Sequence, residues 1–214
     1  MTNRAIHRLV AACDWFNQAR PWNHNHHYHR WLMRQLPRRF DAALDVGCGS
    51  GVLARLLAGR ADTVLGVDRD EAIIAQARPA ANVRYIVADA LTLPDDHYQV
   101  ITCVAALHHL PLEPALTRFR DWLAPGGTLV VIGLTQPATI GDHLLAAAAV
   151  PANLLVSLAH GKATAPVAMS APVKTPTTTL PALRAQARGI LPGARVRRRL
   201  FWRYTLVYRH PSSQ

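Results

Sequence analysis

The segment Asp45-Val46-Gly47-Cys48-Gly49-Ser50-Gly51 constrains this chain more than any other. It follows the extended-type run Ala-Ala-Leu-Asp-Val at 42–46 and precedes the helix-forming run at 52–58. Three glycines in five positions suit a strand that ends in a tight turn, where backbone free of a Cβ can turn sharply. The helix that follows turns its first N–H groups back toward whatever the turn holds. A chain with this element folds around a strand–turn–helix unit.

The unit is repeated downstream with other sequences. Strand-length apolar runs at 42–46, 63–67, 83–87, 98–105 and 128–134 alternate with helix-period segments at 52–58, 71–78 and 114–123. That alternation predicts an α/β fold, a parallel sheet with helices on both faces. Gly59 is placed to end the first helix, Pro79 to stop the second, and Pro125-Gly126-Gly127 to make the turn into the fifth strand. After Leu134 the pattern dissolves into an alanine-rich stretch and a Pro/Thr segment, read as a lid or substrate-side insertion over 135–180. A helix at 180–188 and two strand-like runs, 195–200 and 204–208, then predict a closing hairpin at the sheet edge. At 214 residues with 50% hydrophobic and 17% charged content, one domain covers the whole chain. Residues 1–35 are its N-terminal cap, 40–134 its ligand-binding core, and 181–214 its terminal helix and hairpin.

Composition excludes other classes. The cysteines at 13, 48 and 103 have neither metal-site nor disulfide-framework spacing, which points to a reducing compartment. Asp14, Asn17 and Arg20 interrupt any secretory core, and Pro151, Asn153 and Ser157 break the longest apolar run, so a soluble cytoplasmic protein is expected. The net charge of +11 is uneven: beyond Asp142 there are ten basic residues and no acidic one. Such asymmetry attracts acidic partners, although 22 of the 24 basic residues are arginine, which a biased composition also explains.

Spacing gives the glycine turn a ligand. Asp68 ends the second strand about 20 residues later, where a carboxylate can accept both hydroxyls of a ribose. Asp89 ends the third strand, placed to receive an adenine amino group. Dinucleotide binding fits less well, because Asp45 would repel a pyrophosphate and the glycines follow G-x-G-x-G. The cationic sulfonium and ammonium of S-adenosylmethionine (SAM) are attracted by the same carboxylate.

In order, the segments Leu44–Gly51, Gly66-Val67-Asp68, Ala88-Asp89-Ala90, Val104–Leu110 and Leu123–Gly127 resemble the signature segments of class I SAM-dependent methyltransferases of the small-molecule type. The resemblance covers residues 40–134 strongly and the terminal strands weakly. It implies a doubly wound, seven-stranded, mostly parallel sheet in the order 3-2-1-4-5-7-6 with the last strand antiparallel. It also implies SAM as cofactor, with Gly47, Gly49 and Gly51 along the methionine moiety, Asp68 on the ribose, Asp89 and Ala90 on the adenine, and Arg69 beside the adenine ring. Asp45 and Cys48 belong to the same cofactor-binding turn. Ala105, Ala106 and His108 would lead from strand four into the methyl-transfer cleft.

Because a sulfonium methyl is already activated, the protein chiefly has to align a nucleophile with the S–CH₃ bond and exclude water. If a base assists, His108 is the first candidate and His109 the second, the alternative being a histidine that only packs at the strand end. The run Trp22–Trp31 has four histidines in six positions but no carboxylate or cysteine to complete a metal site, so no metal is expected. A helix laid across the cofactor is the reading adopted, with His24 and Tyr28 touching cofactor or substrate. Arg195, Arg197 and Arg199 alternate onto one strand face, where edge solvation is the default and a phosphate-contacting strip the alternative. The leading function is methyl transfer to a small organic acceptor of specialised metabolism, on O, N or C. A tRNA or other polyanionic acceptor, and a non-catalytic SAM-binding partner protein, are the alternatives.

Overall fold

Branched and apolar residues fill the extended runs, and burial on both faces explains why they read as continuous apolar segments instead of alternating ones. A computed structural model describes residues 24–136, 176–200 and 203–212. In it the chain runs α1 (His24–Met33), β1 (Phe40–Val46), α2 (Val52–Ala58), β2 (Ala61–Asp68), α3 (Glu71–Ile74), β3 (Val83–Val87), β4 (Tyr98–Val104), α4 (Leu112–Asp121), β5 (Leu123–Leu134), α5 (Leu180–Ile190), β6 (Arg195–Arg198) and β7 (Arg203–Arg209). Short 3₁₀ turns follow β3 at Ala90–Thr92 and β4 at Leu107–His109.

The seven strands form one sheet in the order β3-β2-β1-β4-β5-β7-β6, the order the resemblance implied. Pairing is parallel from β3 through β5, and β7 enters antiparallel between β5 and β6. Two apolar layers cover the sheet. On one face α1 and α2 pack Tyr28, Leu32, Leu53 and Leu57 onto Ala43, Val100, Val130 and Ile132. On the other, α4 and α5 pack Leu116, Phe119, Leu183 and Ala187 onto Leu44, Ile101, Leu129 and Leu206. The strand order reverses between β1 and β4, and a crevice opens at their carboxyl ends, where sheets of this kind bind ligands.

Three local expectations are corrected. The second helix ends at Ile74 and does not reach Arg78, because Gln76 and Ala77 donate to carbonyls only three residues back and Pro79 disfavours helical backbone before it. The fourth helix begins at Leu112, two residues early, and Leu123 already belongs to β5. Pro125-Gly126-Gly127 lies within β5 as an irregularity: pairing with β4 jumps from Tyr98↔Leu123 to Val100↔Thr128, with Gly126 at φ +75°. The hairpin exists, with β6 at the sheet edge. Of the expected cap at 1–35, residues 1–23 lie outside the described residues, as do residues 137–175 of the expected insertion.

Candidate active site

The end of β1 and the glycine turn are tied to β2 by two bonds, Gly47 N–H and Cys48 N–H both donating to the Val67 carbonyl at 2.8 and 3.0 Å. Gly47, Gly49 and Gly51 all have positive φ, between +52° and +72°. Only glycine takes this backbone at no steric cost. Space differs among them. A Cβ on Gly47 would lie 2.2 Å from the Cβ of Ala106, and one on Gly51 would lie 2.2 Å from the Tyr85 hydroxyl. At Gly49 the nearest atom would be 3.9 Å away. The first and third glycines therefore let neighbours close on the turn, while Gly49 keeps room for a ligand.

Two carboxylates meet this turn. Asp68, at the tip of β2, accepts the Gly49 N–H at 2.9 Å on one oxygen and the Asp70 N–H at 3.1 Å on the other. Each oxygen has lone-pair capacity left, so the carboxylate is braced without being used up. Asp45 is 1% exposed and accepts the Thr102 hydroxyl at 2.7 Å, while its second oxygen, Oδ2, has no hydrogen-bond partner among the described residues. Burial pushes its carboxyl up to about 7; the Thr102 bond acts against that, the nearby Asp68 charge adds to the rise, and the Ala54 backbone N–H at the start of α2 opposes it. A buried, incompletely satisfied carboxylate of this kind favours a cation beside it. Cys48 is buried beneath the turn, its thiol pushed well up by desolvation and by the two carboxylates, so it packs as a neutral group.

The far side of the crevice comes from β3 and β4. Asp89 is exposed at the end of β3, with one oxygen accepting the Leu91 N–H at 2.9 Å, and Ala90 is buried behind it. Arg69 is exposed beside Asp68. Ala105, just past β4, has φ +54° and donates its N–H to the Ile132 carbonyl at 2.7 Å. This left-handed non-glycine residue turns the chain so that Ala106 meets Gly47, the type of strain that gathers at functional sites. One residue further, the 3₁₀ turn carries His108 and His109, whose ring centroids are 4.1 Å apart. Both line a cleft of about 390 Å³ together with Leu110, Leu134, Leu183 and Tyr204. The structure thus brings the two histidines to the same end of the sheet as the glycine turn, in walls that mix leucine and proline side chains with histidine, threonine and tyrosine.

The N-terminal helix, expected as a cap with His24 and Tyr28 toward cofactor or substrate, packs on the sheet face through Tyr28 and Leu32. Tyr28 is buried, and its hydroxyl donates to the Leu200 carbonyl at 2.8 Å, so this side chain locks α1 to the β6–β7 end of the sheet and is committed to that contact. For His24 only the backbone, at the first position of α1, lies among the described features. His27 meets Tyr28 edge-on and His29 is buried.

Sequence reading missed the residues that support the site. Thr102 is a fully buried polar residue in β4, and its hydroxyl donates to Asp45. A polar residue inside a fully buried strand is the signal that marks it. Tyr85 lies under Gly51 and Gly66. Tyr204, Leu134 and Thr178 reach the cleft from far along the chain, and no local pattern gives that away.

Known proteins share this fold and part of this sequence. Residues 43–127 match the family model described as a methyltransferase domain. A Mycobacterium tuberculosis protein described as an uncharacterized methyltransferase is 37% identical over 198 residues, 89% of this chain and 98% of that protein. A ubiquinone biosynthesis O-methyltransferase of Pseudomonas fluorescens is 36% identical over 108 residues, 45% of this chain and 46% of its own. Among solved structures, the DhpI complex with SAH is similar in fold, with a TM-score of 0.61 at 17% identity over 96% of this chain and 95% of that one.

Proposed function

Since the chain belongs to the class I SAM-dependent methyltransferases, we propose that it methylates a small, partly apolar organic acceptor held in the cleft beside His108 and His109. The observation that carries this reading is the cleft itself, about 390 Å³, the size of a small-molecule site, in which leucines alternate with the polar groups of His108, His109, Thr177, Thr178 and Tyr204.

The residues fit SAM. A Cβ on Gly49 would meet only Ile73, at an ordinary contact distance of 3.9 Å, and Asp45 holds a buried carboxylate beside the turn that a cation would favour. In our reading Gly47, Gly49 and Gly51 bind the methionine end, Asp45 and Cys48 back that turn, Asp68 takes the ribose hydroxyls, and Asp89, Ala90 and Arg69 hold the adenine. SAM supplies an electrophilic methyl, transferred with its S–C electron pair left on sulfur. The chain contributes alignment and exclusion of water. Ala105 and Ala106 present the acceptor, and His108, with His109 beside it, takes the proton that a hydroxyl or amine acceptor loses. The relative acting in ubiquinone biosynthesis is an O-methyltransferase, which supports an oxygen nucleophile in the acceptor of this chain as well.

Transfer of label from methyl-tritiated SAM to a panel of phenols, hydroxy acids and amines tests the reading. Leu134→Trp, which narrows the cleft, is expected to raise KM for the acceptor while leaving SAM affinity unchanged. His108→Ala is expected to lower kcat by about 10²-fold or more, the range for loss of a positioned base. Unchanged kcat in that variant would remove the base, and transfer to tRNA alone would remove the small acceptor.

A further inference from the structure

A second cleft lies on the opposite face of the sheet, away from the histidines. Along β6 and β7 side chains alternate: Val196, Leu206, Tyr204 and Tyr208 go into the layer under α4 and α5, while Arg195, Arg197, Thr205, Val207 and Arg209 go to the α1 side. A hollow of about 310 Å³ lies between the flank of α1, at Trp31 and Gln35, and the two last strands. Arg195, Arg197, Arg199 and Arg209 line it, with Trp31 and Thr205. The Arg199 guanidinium sits over the Trp31 ring at 4.9 Å and donates to the Thr205 hydroxyl at 3.2 Å, so it is held in place. Arg209 reaches back to the Gln35 carbonyl at 3.4 Å.

Four guanidinium groups in one hollow repel each other. The two ion pairs found among the described residues, Arg118–Asp95 and Arg120–Asp121, involve none of them, and the sequence supplies no carboxylate anywhere after Asp142. Among the described residues, the walls therefore present many N–H donors and no carboxylate. Guanidinium forks match phosphate oxygens two at a time, and a ligand with two phosphoryl groups would engage several forks at once. The volume is that of a small-molecule site and admits no folded partner.

We propose that this arginine-lined hollow binds a small phosphorylated ligand, a phosphate or diphosphate ester, at a site separate from the methyl-transfer cleft. The two sites occupy opposite faces, so this ligand and the cofactor bind together. Such a site either anchors the phosphorylated part of a long acceptor or takes a phosphorylated effector; both sources share the same chemistry.

Titration calorimetry of the full chain with pyrophosphate at 150 mM NaCl tests the proposal, with SAH as the control ligand. Saturable one-to-one binding is expected, weakened at least tenfold in R195Q/R197Q, with SAH affinity and the circular dichroism spectrum unchanged. R195K/R197K, which keeps the charge but loses the forks, is expected to weaken binding by several-fold. Phosphorylated and unphosphorylated forms of any acceptor found by the tritium assay separate the two sources: a lower KM for the phosphorylated form marks the anchor, equal KM the effector. Absence of saturable pyrophosphate binding overturns the proposal, as does full affinity in R195Q/R197Q. Binding of only an RNA oligonucleotide or phosphatidylglycerol vesicles overturns it too, by making the surface a docking face for a polyanion.

Discussion

A carboxyl buried to 1% exposure beside a second carboxylate is costly to ionise, and Asp45 shows what that cost is for. Its folded value of about 7 lies above the ordinary 3.8, so between about pH 4 and pH 7 the folded state holds a proton that the unfolded state has lost. Stability from this group therefore falls as pH rises through that window, by at most about 4 kcal/mol at roughly 1.4 kcal/mol per unit. Asp45→Asn is expected to flatten the dependence of urea-midpoint stability on pH between 4 and 7 and to weaken SAM binding. A variant with the wild-type slope would show that another group titrates there. Cationic SAM should in turn favour the ionised form, so proton release on binding near pH 6.5, seen as a buffer-dependent calorimetric enthalpy, is the expected counterpart. Glycine positions separate strain from contact. Gly47→Ala meets the Ala106 Cβ at 2.2 Å and takes on an unfavourable φ, and is expected to cost about 2–4 kcal/mol. Gly49→Ala has space, so only the backbone term of about 1 kcal/mol remains, and the variant is expected to fold yet lose SAM affinity. Equal destabilisation of the two would refute the distinction.

Elements with one job were legible in the sequence; elements with two were not. β1 follows from its apolar run because burial on both faces leaves a clear signature, and α2 follows from glycine punctuation at both its ends. The α3 helix was overextended because a helical pattern continues past Ile74, whereas the backbone tightens into three-residue bonds before Pro79. Pro125-Gly126-Gly127 has turn chemistry, yet β7 reaches it, with His210 N–H donating to the Gly127 carbonyl at 2.8 Å, and so it lies inside the strand span. Local propensity cannot report a partner 83 residues away. The glycine turn and Asp68 were readable in the same local way, while the cleft walls depend on β5, α5 and β7 converging. That convergence makes Gly133 a test. It is buried in β5 against the Tyr204 ring, and a Cβ there would lie 2.5 Å from ring atoms. Gly133→Ala is expected to shift Tyr204, cost about 1–3 kcal/mol and raise acceptor KM, with SAM affinity kept. A cost below about 0.5 kcal/mol in a denaturant titration would show that the ring moves freely.

At the scale of the whole molecule, charge is distributed without regard to the sheet's symmetry. No described helix is long and apolar enough to cross a membrane. Among the described residues, Arg195, Arg197, Arg199 and Arg209 gather at the β6–β7 edge and line the hollow. Edge strands resist pairing with other chains when they carry charge, so the arginines protect β6 while they repel each other. Burial lowers the proton affinity of Arg203, which shows that this charge already carries a desolvation cost. With +11 net charge, self-repulsion acts over distances that salt can screen, since the Debye length falls from roughly 30 Å at 0.01 M to about 8 Å at 0.15 M. Tm is therefore expected to rise with NaCl from 10 to 150 mM, at about 2–4 °C for each kcal/mol of repulsion removed. Phosphate at equal ionic strength should raise it further, because it both screens and binds. The excess over chloride is expected to vanish in R195Q/R197Q, whereas the chloride-dependent rise should shrink only in proportion to the two charges removed. A Tm that stays flat in NaCl would mean that the arginines are already neutralised by groups of the chain itself.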